Sequence, residues 1–376
     1  MITVTLTGIA HGGSAVGRVD GQVVFVRGAI PGETVTAEVT GEGRKGRFLN
    51  AETVAVLDPS PDRVTAPCPV AGVCGGCDFQ HITPARQRGL KSQVLAEQLE
   101  RLGGVTVDVP VVAADPDALG WRTRMRFAAG ADGRWGLRRH NSHEVVGLTS
   151  CPIATEGVNH ALADATDAEV GSELVIAEAA DEIVACVRPG QAPGTVTEVA
   201  GGRQWQVGMT GFWQAHRQAP DVLVAAVAPY VSEAQTWWDL YCGVGLFAGA
   251  LARPGARITA VEGDRRAAGL ARKNLADLPD VRVHTADVGQ WLSRAQPVES
   301  PDTIVLDPPR SGVGRDVVAG LTSAGAQRLV YVACDPAALG RDVAYLRAQG
   351  WELRSVTGYD LFPMTHHVEA VAVLLR

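Results

Sequence analysis

The sequence predicts an α/β protein: a doubly wound, mostly parallel sheet preceded by an OB-like β-barrel and a central α+β domain. Three observations carry this. Residues 205–376 alternate apolar strand patterns with helical ones. Residues 1–57 alternate apolar and polar side chains with a period of two between glycine turns. Residues 58–204 open on a proline-rich linker and three closely spaced cysteines, then mix strands and short helices. At roughly 150 residues per domain, a chain of 376 residues accommodates three such units.

Composition narrows the class. A hydrophobic fraction of 46% and a charged fraction of 20% are those of a soluble globular protein. No apolar run approaches the ~20 residues of a membrane span. The opening M-I-T-V-T-L-T-G has neither a basic nor an apolar signal region. The expectation is a cytoplasmic monomer with no membrane partner. The net charge of −7 argues mildly against nucleic acid, but binding is set by local patches.

In the first unit, T-V-T-L-T, Q-V-V-F-V and V-T-A-E-V-T read as strands, with turns at Gly12-Gly13, Gly21, Pro31-Gly32 and Gly41. Five short strands of this kind close into an OB-like barrel, a frequent RNA-binding architecture.

Four prolines between 59 and 69 mark the linker. Cys68, Cys74 and Cys77 follow with the spacing C-x5-C-x2-C. Tight, glycine-spaced thiols in a chain without an export signal suggest metal or cluster ligation rather than disulfides. Residues 84–102 predict a helix with Leu90, Val94, Leu95, Leu99 and Leu102 on one stripe. Between 121 and 140 lie six arginines (122, 124, 126, 134, 138 and 139) and one acid, Asp132. With Trp121 and Trp135 among them, the stretch is expected to grip RNA, the indoles stacking on bases and the arginines holding phosphates.

The third unit supplies the sheet. Its strand candidates are T-W-W-D-L-Y, R-I-T-A-V-E, V-R-V-H-T-A-D, D-T-I-V-L-D, R-L-V-Y-V-A-C and V-E-A-V-A-V-L-L. Ligands of such sheets sit at the carboxyl ends of the strands. That rule gathers residues 239–245, Glu262, Asp287, Asp307 and Cys334 on one rim. In Y-C-G-V-G-L-F, Gly243 and Gly245 permit a tight turn and close approach of a ligand. Glu262 follows Gly243 by 19 residues, where an acid accepts both hydroxyls of a ribose. Ala248 stands where a dinucleotide site favours a third glycine, which leaves the ligand open. S-adenosylmethionine has no phosphate and would use the same turn and acid, with Asp287 at the adenine edge. The prolines of D-P-P-R (307–310) hold Asp307 rigid at the rim. Cys334, in Y-V-A-C-D-P, has the context of a nucleophile, whereas Cys186 is expected to be structural.

Taken in order, these motifs resemble the RNA uridine-5 methyltransferase family over nearly the whole length. V-F-V-R-G-A-I-P-G-E-T-V (24–35) is similar to a TRAM domain. C-P-V-A-G-V-C-G-G-C-D-F-Q-H (68–81) is similar to the family's 4Fe–4S segment, whose fourth ligand would be Cys151, in C-P. G-F-W-Q (211–214), D-L-Y-C-G-V-G (239–245), D-P-P-R, C-D-P (334–336) and F-P-M-T-H-H-V-E (362–369) follow in the family's order. The resemblance implies a Rossmann-like, S-adenosylmethionine-dependent enzyme that makes 5-methyluridine in ribosomal or transfer RNA. Gln214, Tyr241, Glu262 and Asp307, joined by Asp287, would contact the cofactor. Cys334 would be the nucleophile and Glu369 the general base. Cys68, Cys74, Cys77 and Cys151 would ligate the cluster. Two positions depart from the family pattern: Asp335 stands where Asn is frequent, and Leu246 where an Asn often follows the glycine loop.

The chemistry requires these residue types. Carbon 5 of uracil becomes nucleophilic when a thiolate adds to carbon 6. A base must then remove the carbon 5 proton. Four thiolates also suit zinc, and spacing alone decides nothing between zinc and iron–sulfur. An iron–sulfur redox protein and a non-catalytic RNA-binding protein are the rival functions, and the presence of both Cys334 and Glu369 argues against the latter.

Overall fold

Alternation in Ile2–Ile9 (β1) turns Val4 and Leu6 inward. Ala15–Val19 (β2), Gln22–Arg27 (β3), Thr34–Glu42 (β4) and Phe48–Asp58 (β5) bury the matching faces. The strands close in the order β1-β2-β3-β5-β4, with β4 returning to β1. The computed structural model describes residues 1–43, 46–166, 168–180, 182–189, 194–294 and 300–376. The linker is fastened to the barrel by the buried Glu33, which accepts from Arg63 Nε at 2.6 Å and from the Ile30 and Ser60 amides.

Pro84–Gly103 (α1) opens with proline and ends where Gly104 adopts a left-handed φ of 63°. Leu90, Val94, Leu95 and Leu99 are buried as expected. Leu102 is not: it lies at the helix end and is 43% exposed. Next, Val111–Ala113 (β6) leaves this segment to join the C-terminal sheet.

Arg124–Ala129 (β7), Trp135–Arg138 (β8), Val145–Gly147 (β9), Glu173–Ala179 (β10) and Glu182–Arg188 (β11) form an antiparallel sheet in the order β11-β10-β7-β8-β9. The helix Glu156–Asp164 (α2) packs on it. This core contains Trp121, fully buried, and Trp135, nearly so. Neither indole has a free face, which corrects the expectation that they stack on RNA. The arginines beside them are largely committed: Arg124 to Glu198, Arg126 to Glu173, Arg134 to Asp132 and Arg139 to Glu144.

Thr195–Ala200 (β12) and Arg203–Gly208 (β13) form a hairpin whose Val196, Trp205 and Val207 join the core of the C-terminal sheet. The expected boundary at 204/205 falls inside this hairpin.

That last sheet has eight strands. Thr236–Leu240 (β14), Arg257–Glu262 (β15), Val281–Thr285 (β16), Thr303–Leu306 (β17) and Arg328–Ala333 (β18) are parallel. β14 and β17 are buried at every position, as strands covered on both faces must be. Glu352–Asp360 (β19) and Glu369–Leu375 (β20) add an antiparallel edge, giving the order β16-β15-β14-β17-β18-β20-β19-β6. Ala219–Val231 (α3), Leu246–Ala250 (α4), Arg265–Asn274 (α5), Val288–Arg294 (α6), Gly314–Ser323 (α7) and Pro336–Ala348 (α8) cover the two faces. α1 crosses α8 so closely that a Cβ on Gly340 would sit 2.5 Å from the Gln98 carbonyl oxygen. The sheet is therefore parallel only in part, and residues 84–113 contribute a helix and a strand to it. Among the described residues no helix is long and apolar enough to cross a membrane.

Candidate active site and cysteine cavity

The carboxyl ends of β14, β15 and β17 converge three acids. Asp239 is fully buried; its Oδ2 accepts from the Ala248 amide at 2.9 Å, while its Oδ1 has no partner. Glu262 accepts from Gly243 N at 2.9 Å and from Asp264 N at 2.6 Å. Asp307 follows β17, its amide donating to Leu240 O. Burial, then the neighbouring acids, push Asp239 and Asp307 up to about 7. A cation among these acids would favour their charged forms.

The glycine turn shapes the opening. Tyr241 and Gly243 both take left-handed φ, 63° and 56°. A Cβ on Gly243 would meet nothing within 4 Å, so the space beside it is open to a ligand. Tyr241 is pushed up to about 12 by burial and by Asp287. Asp287 accepts from Gln290 N at 2.9 Å. Gln214 is only 7% exposed and makes no side-chain hydrogen bond among the described residues. An orphaned Asp239 oxygen, an unpartnered buried Gln214, an acidic rim and an open glycine fit a cationic nucleoside cofactor such as S-adenosylmethionine.

Cys334 and Glu369 stand at the next strands of the same rim. Cys334 follows β18 directly; Asp335 caps α8 by accepting from Ala338 N at 2.7 Å. Glu369 opens β20 and is 3% exposed. The β18–β20 register ends on Ala333 opposite Ala370. Burial pushes the Cys334 thiol up to about 12, helped by Glu369 and Asp307, while Arg310 pulls it down. Glu369 is held well above the usual carboxyl range by burial and by Asp307, again against Arg310. Arg310 also approaches His367 Nε2 at 3.5 Å. The loop between Asp307 and α7 is fastened by the buried Asp342, which accepts from Val313 N at 2.7 Å and from Tyr331 OH at 2.8 Å.

The loop before Glu369 is gripped from the N-terminal half. Lys91 Nζ lies 2.6 Å from Asp360 Oδ1, both buried, and donates to Phe362 O. Gln87 Oε1 accepts from Met364 N, and Asp78 Oδ2 lies 2.6 Å from His366 Nδ1.

Cys68, Cys74, Cys77 and Cys151 line one cavity of about 270 Å³, with Arg122, Met125 and Leu137 among its walls. Cys151 is fixed by Asn159, which accepts from its amide and donates to its carbonyl. Burial raises Cys74, Cys151 and Cys77, the last to about 12. Among the described residues no three His, Cys, Asp or Glu converge on a single metal ion. Four thiols around one cavity are a donor set that either an iron–sulfur cluster or a zinc ion can take.

Sequence reading placed Cys334, Glu369, Tyr241, Glu262, Asp287 and Asp307 on this rim, and the structure brings them there. It placed Asp239 on the rim without giving it a role, and it missed Arg310, which lies inside the D-P-P-R motif.

Residues 299–376 match the family model described as tRNA (Uracil-5-)-methyltransferase, residues 1–53 the TRAM domain, and residues 222–327 Conserved hypothetical protein 95. An uncharacterized RNA methyltransferase of Streptomyces coelicolor is 45% identical, over 97% of this chain and 91% of its own length. A 23S rRNA (uracil(1939)-C(5))-methyltransferase of Alkalilimnicola ehrlichii is 32% identical over 99% and 96%. The fold is shared with the crystal structure of Pyrococcus abyssi tRNA (uracil-54, C5)-methyltransferase in complex with S-adenosyl-L-homocysteine, at a TM-score of 0.76 and 22% identity, covering 99% of each chain.

Proposed function

The chain belongs to the S-adenosylmethionine-dependent RNA (uracil-5-)-methyltransferase family, and we propose that it methylates carbon 5 of one uridine in ribosomal RNA through a covalent cysteine adduct. The placement of Cys334 and Glu369 beside the last β18–β20 pair, with Asp307 near both, is the observation that carries this reading. Ribosomal rather than transfer RNA is favoured by a relative, named as a 23S rRNA (uracil(1939)-C(5))-methyltransferase, that matches over 96% of its own length.

S-adenosylmethionine supplies an electrophilic methyl on a cationic sulfonium. Asp239, Glu262 and Asp307 provide the negative field that receives this cation, with Gln214, Tyr241 and Asp287 completing the contacts. The Cys334 thiolate adds to carbon 6 of uracil, and the ring's electrons move to carbon 5 and the carbon 4 oxygen. Carbon 5 would take the methyl as the methyl–sulfur bond breaks, its electron pair staying on a neutral sulfur. Glu369, as carboxylate, removes the carbon 5 proton, and Cys334 leaves carbon 6 as thiolate. A uridine stacked in RNA must be flipped out to reach both groups. Cys68, Cys74, Cys77 and Cys151 would hold a 4Fe–4S cluster as a structural clamp, since no step needs an electron. The working form is read as a cytoplasmic monomer of three units, with the barrel and the central sheet gripping RNA.

The test is incubation with labelled S-adenosylmethionine and total RNA lacking 5-methyluridine, followed by mapping of the label. Label on a uridine of large-subunit RNA is expected. Label confined to transfer RNA would overturn the substrate, and no label in uridine the whole reading.

A further inference from the structure

The first turn of the barrel reaches the catalytic rim. Residues 10–14 join β1 to β2, and the turn is closed by Gly13 N donating to Ala10 O at 2.9 Å. His11 Nε2 lies 3.2 Å from Asp335 Oδ2. Asp335 follows Cys334 in the chain, and its other oxygen caps α8. One carboxylate oxygen therefore serves the helix and the other serves the barrel. Gly13 makes a second contact. It holds a left-handed φ of 86°, and a Cβ there would stand 2.7 Å from His366 Cβ, three residues before Glu369. A single short turn thus touches both the segment of the thiol and the segment of the base.

The charges explain why a histidine stands there. The thiol faces three acids, Glu369, Asp307 and Asp335, and one cation, Arg310. His366 is committed to Asp78. Burial keeps His367 neutral, at about 3. His11 alone faces Asp335, and the hydrogen bond to that carboxylate favours its charged form.

We propose that His11 is a positioning residue of the methyl-transfer site: through Asp335 it fixes the turn that carries the Cys334 thiol and offsets the carboxylate beside that thiol. The proposal rests on the reading of Cys334 as the nucleophile. It makes the barrel a wall of the active site as well as a handle on RNA. Because the folded histidine titrates above its ordinary value, the effect is fully present below that range and is lost as pH rises through the raised pKa.

The experiment is single-turnover methyl transfer to total RNA lacking 5-methyluridine, measured against pH. The full chain is compared with His11→Ala, His11→Gln, Asp335→Asn and the His11→Ala/Asp335→Asn pair. At about pH 6, His11→Ala should slow transfer about three- to tenfold, the worth of about half to one pK unit at the thiol. The two rates should converge as pH rises through the raised pKa of His11, where the imidazole loses its charge. His11→Gln keeps a donor without the charge and should follow His11→Ala. In the Asp335→Asn background, which keeps the cap and removes the acid, His11→Ala should change the rate less than about twofold at every pH. A loss that is equal at all pH values, equal in both backgrounds, or absent overturns the proposal, as does a His11→Gln profile like that of the unaltered chain. Cys334→Ala is run alongside: transfer surviving there overturns the nucleophile reading, whatever His11 does.

Discussion

Cys334 and Glu369 each adjoin the last residue pair of β18 and β20, Ala333 with Ala370, and the thiol feels the charge of the carboxyl. Cys334 follows the end of β18, and Glu369 opens β20. Burial first, and then the Glu369 carboxyl, disfavour the Cys334 thiolate; burial and then Asp307 disfavour the Glu369 carboxylate.

If Glu369 removes the carbon 5 proton, its amide analogue stalls the reaction after methyl transfer. Glu369→Gln is expected to accumulate a protein–RNA adduct that survives a denaturing gel. Adding Cys334→Ala should remove that adduct; an adduct that persists without the thiol would assign the nucleophile elsewhere.

The free protein holds Cys334 as a thiol, at about 12, so its alkylation should rise steadily with pH and show no plateau near neutrality. A sulfonium placed among Asp239, Glu262 and Asp307 lowers that value. Alkylation of Cys334 at about pH 8, followed by mass spectrometry, should run about tenfold faster with S-adenosylmethionine than with the uncharged S-adenosylhomocysteine. Equal rates with the two would mean that the cofactor's charge is not felt at the thiol.

Asp239 has one oxygen committed to Ala248 and one waiting. Asp239→Asn can keep the first contact and loses the charge. Calorimetric titration should show S-adenosylmethionine binding about ten- to hundredfold weaker, about 1.4–2.8 kcal/mol. An unchanged affinity would place the cofactor's cationic end elsewhere.

Anaerobically purified protein should carry about four irons and four acid-labile sulfides per chain, with the absorbance of an iron–sulfur protein. Cys151→Ser should lose most of this and melt several degrees lower, because the cavity's second wall is released. About one zinc per chain without sulfide would instead make the site mononuclear.

Much of this was legible in the sequence where local rules suffice. The glycines of the 241–245 turn, the acids at strand ends and the alternation of the barrel each follow from neighbours in the chain. The rest depended on packing. Trp121 and Trp135 sit among arginines in sequence but are buried in the core, and the Arg122 guanidinium lies over the Trp121 ring at 5.9 Å. β6 is only three residues long, too short for any periodicity, and its partner β19 lies far along the chain. Asp239 was read as part of a motif, and only its burial without a second partner marks it as a binding group. His11 and Asp335 come from opposite ends of the sequence, so nothing local points to their contact.

The position of β20 between β18 and β19 bears on how the protein is made. During synthesis β18 and β19 emerge before the strand that separates them. Until β20 is threaded in, each presents an open row of amides and carbonyls flanked by buried-type side chains, the condition that invites pairing with another chain. The same late insertion delivers Glu369. If Glu369 is the base, a nascent chain is both unable to turn over and most exposed to aggregation at one moment, and completion of the sheet ends both states together.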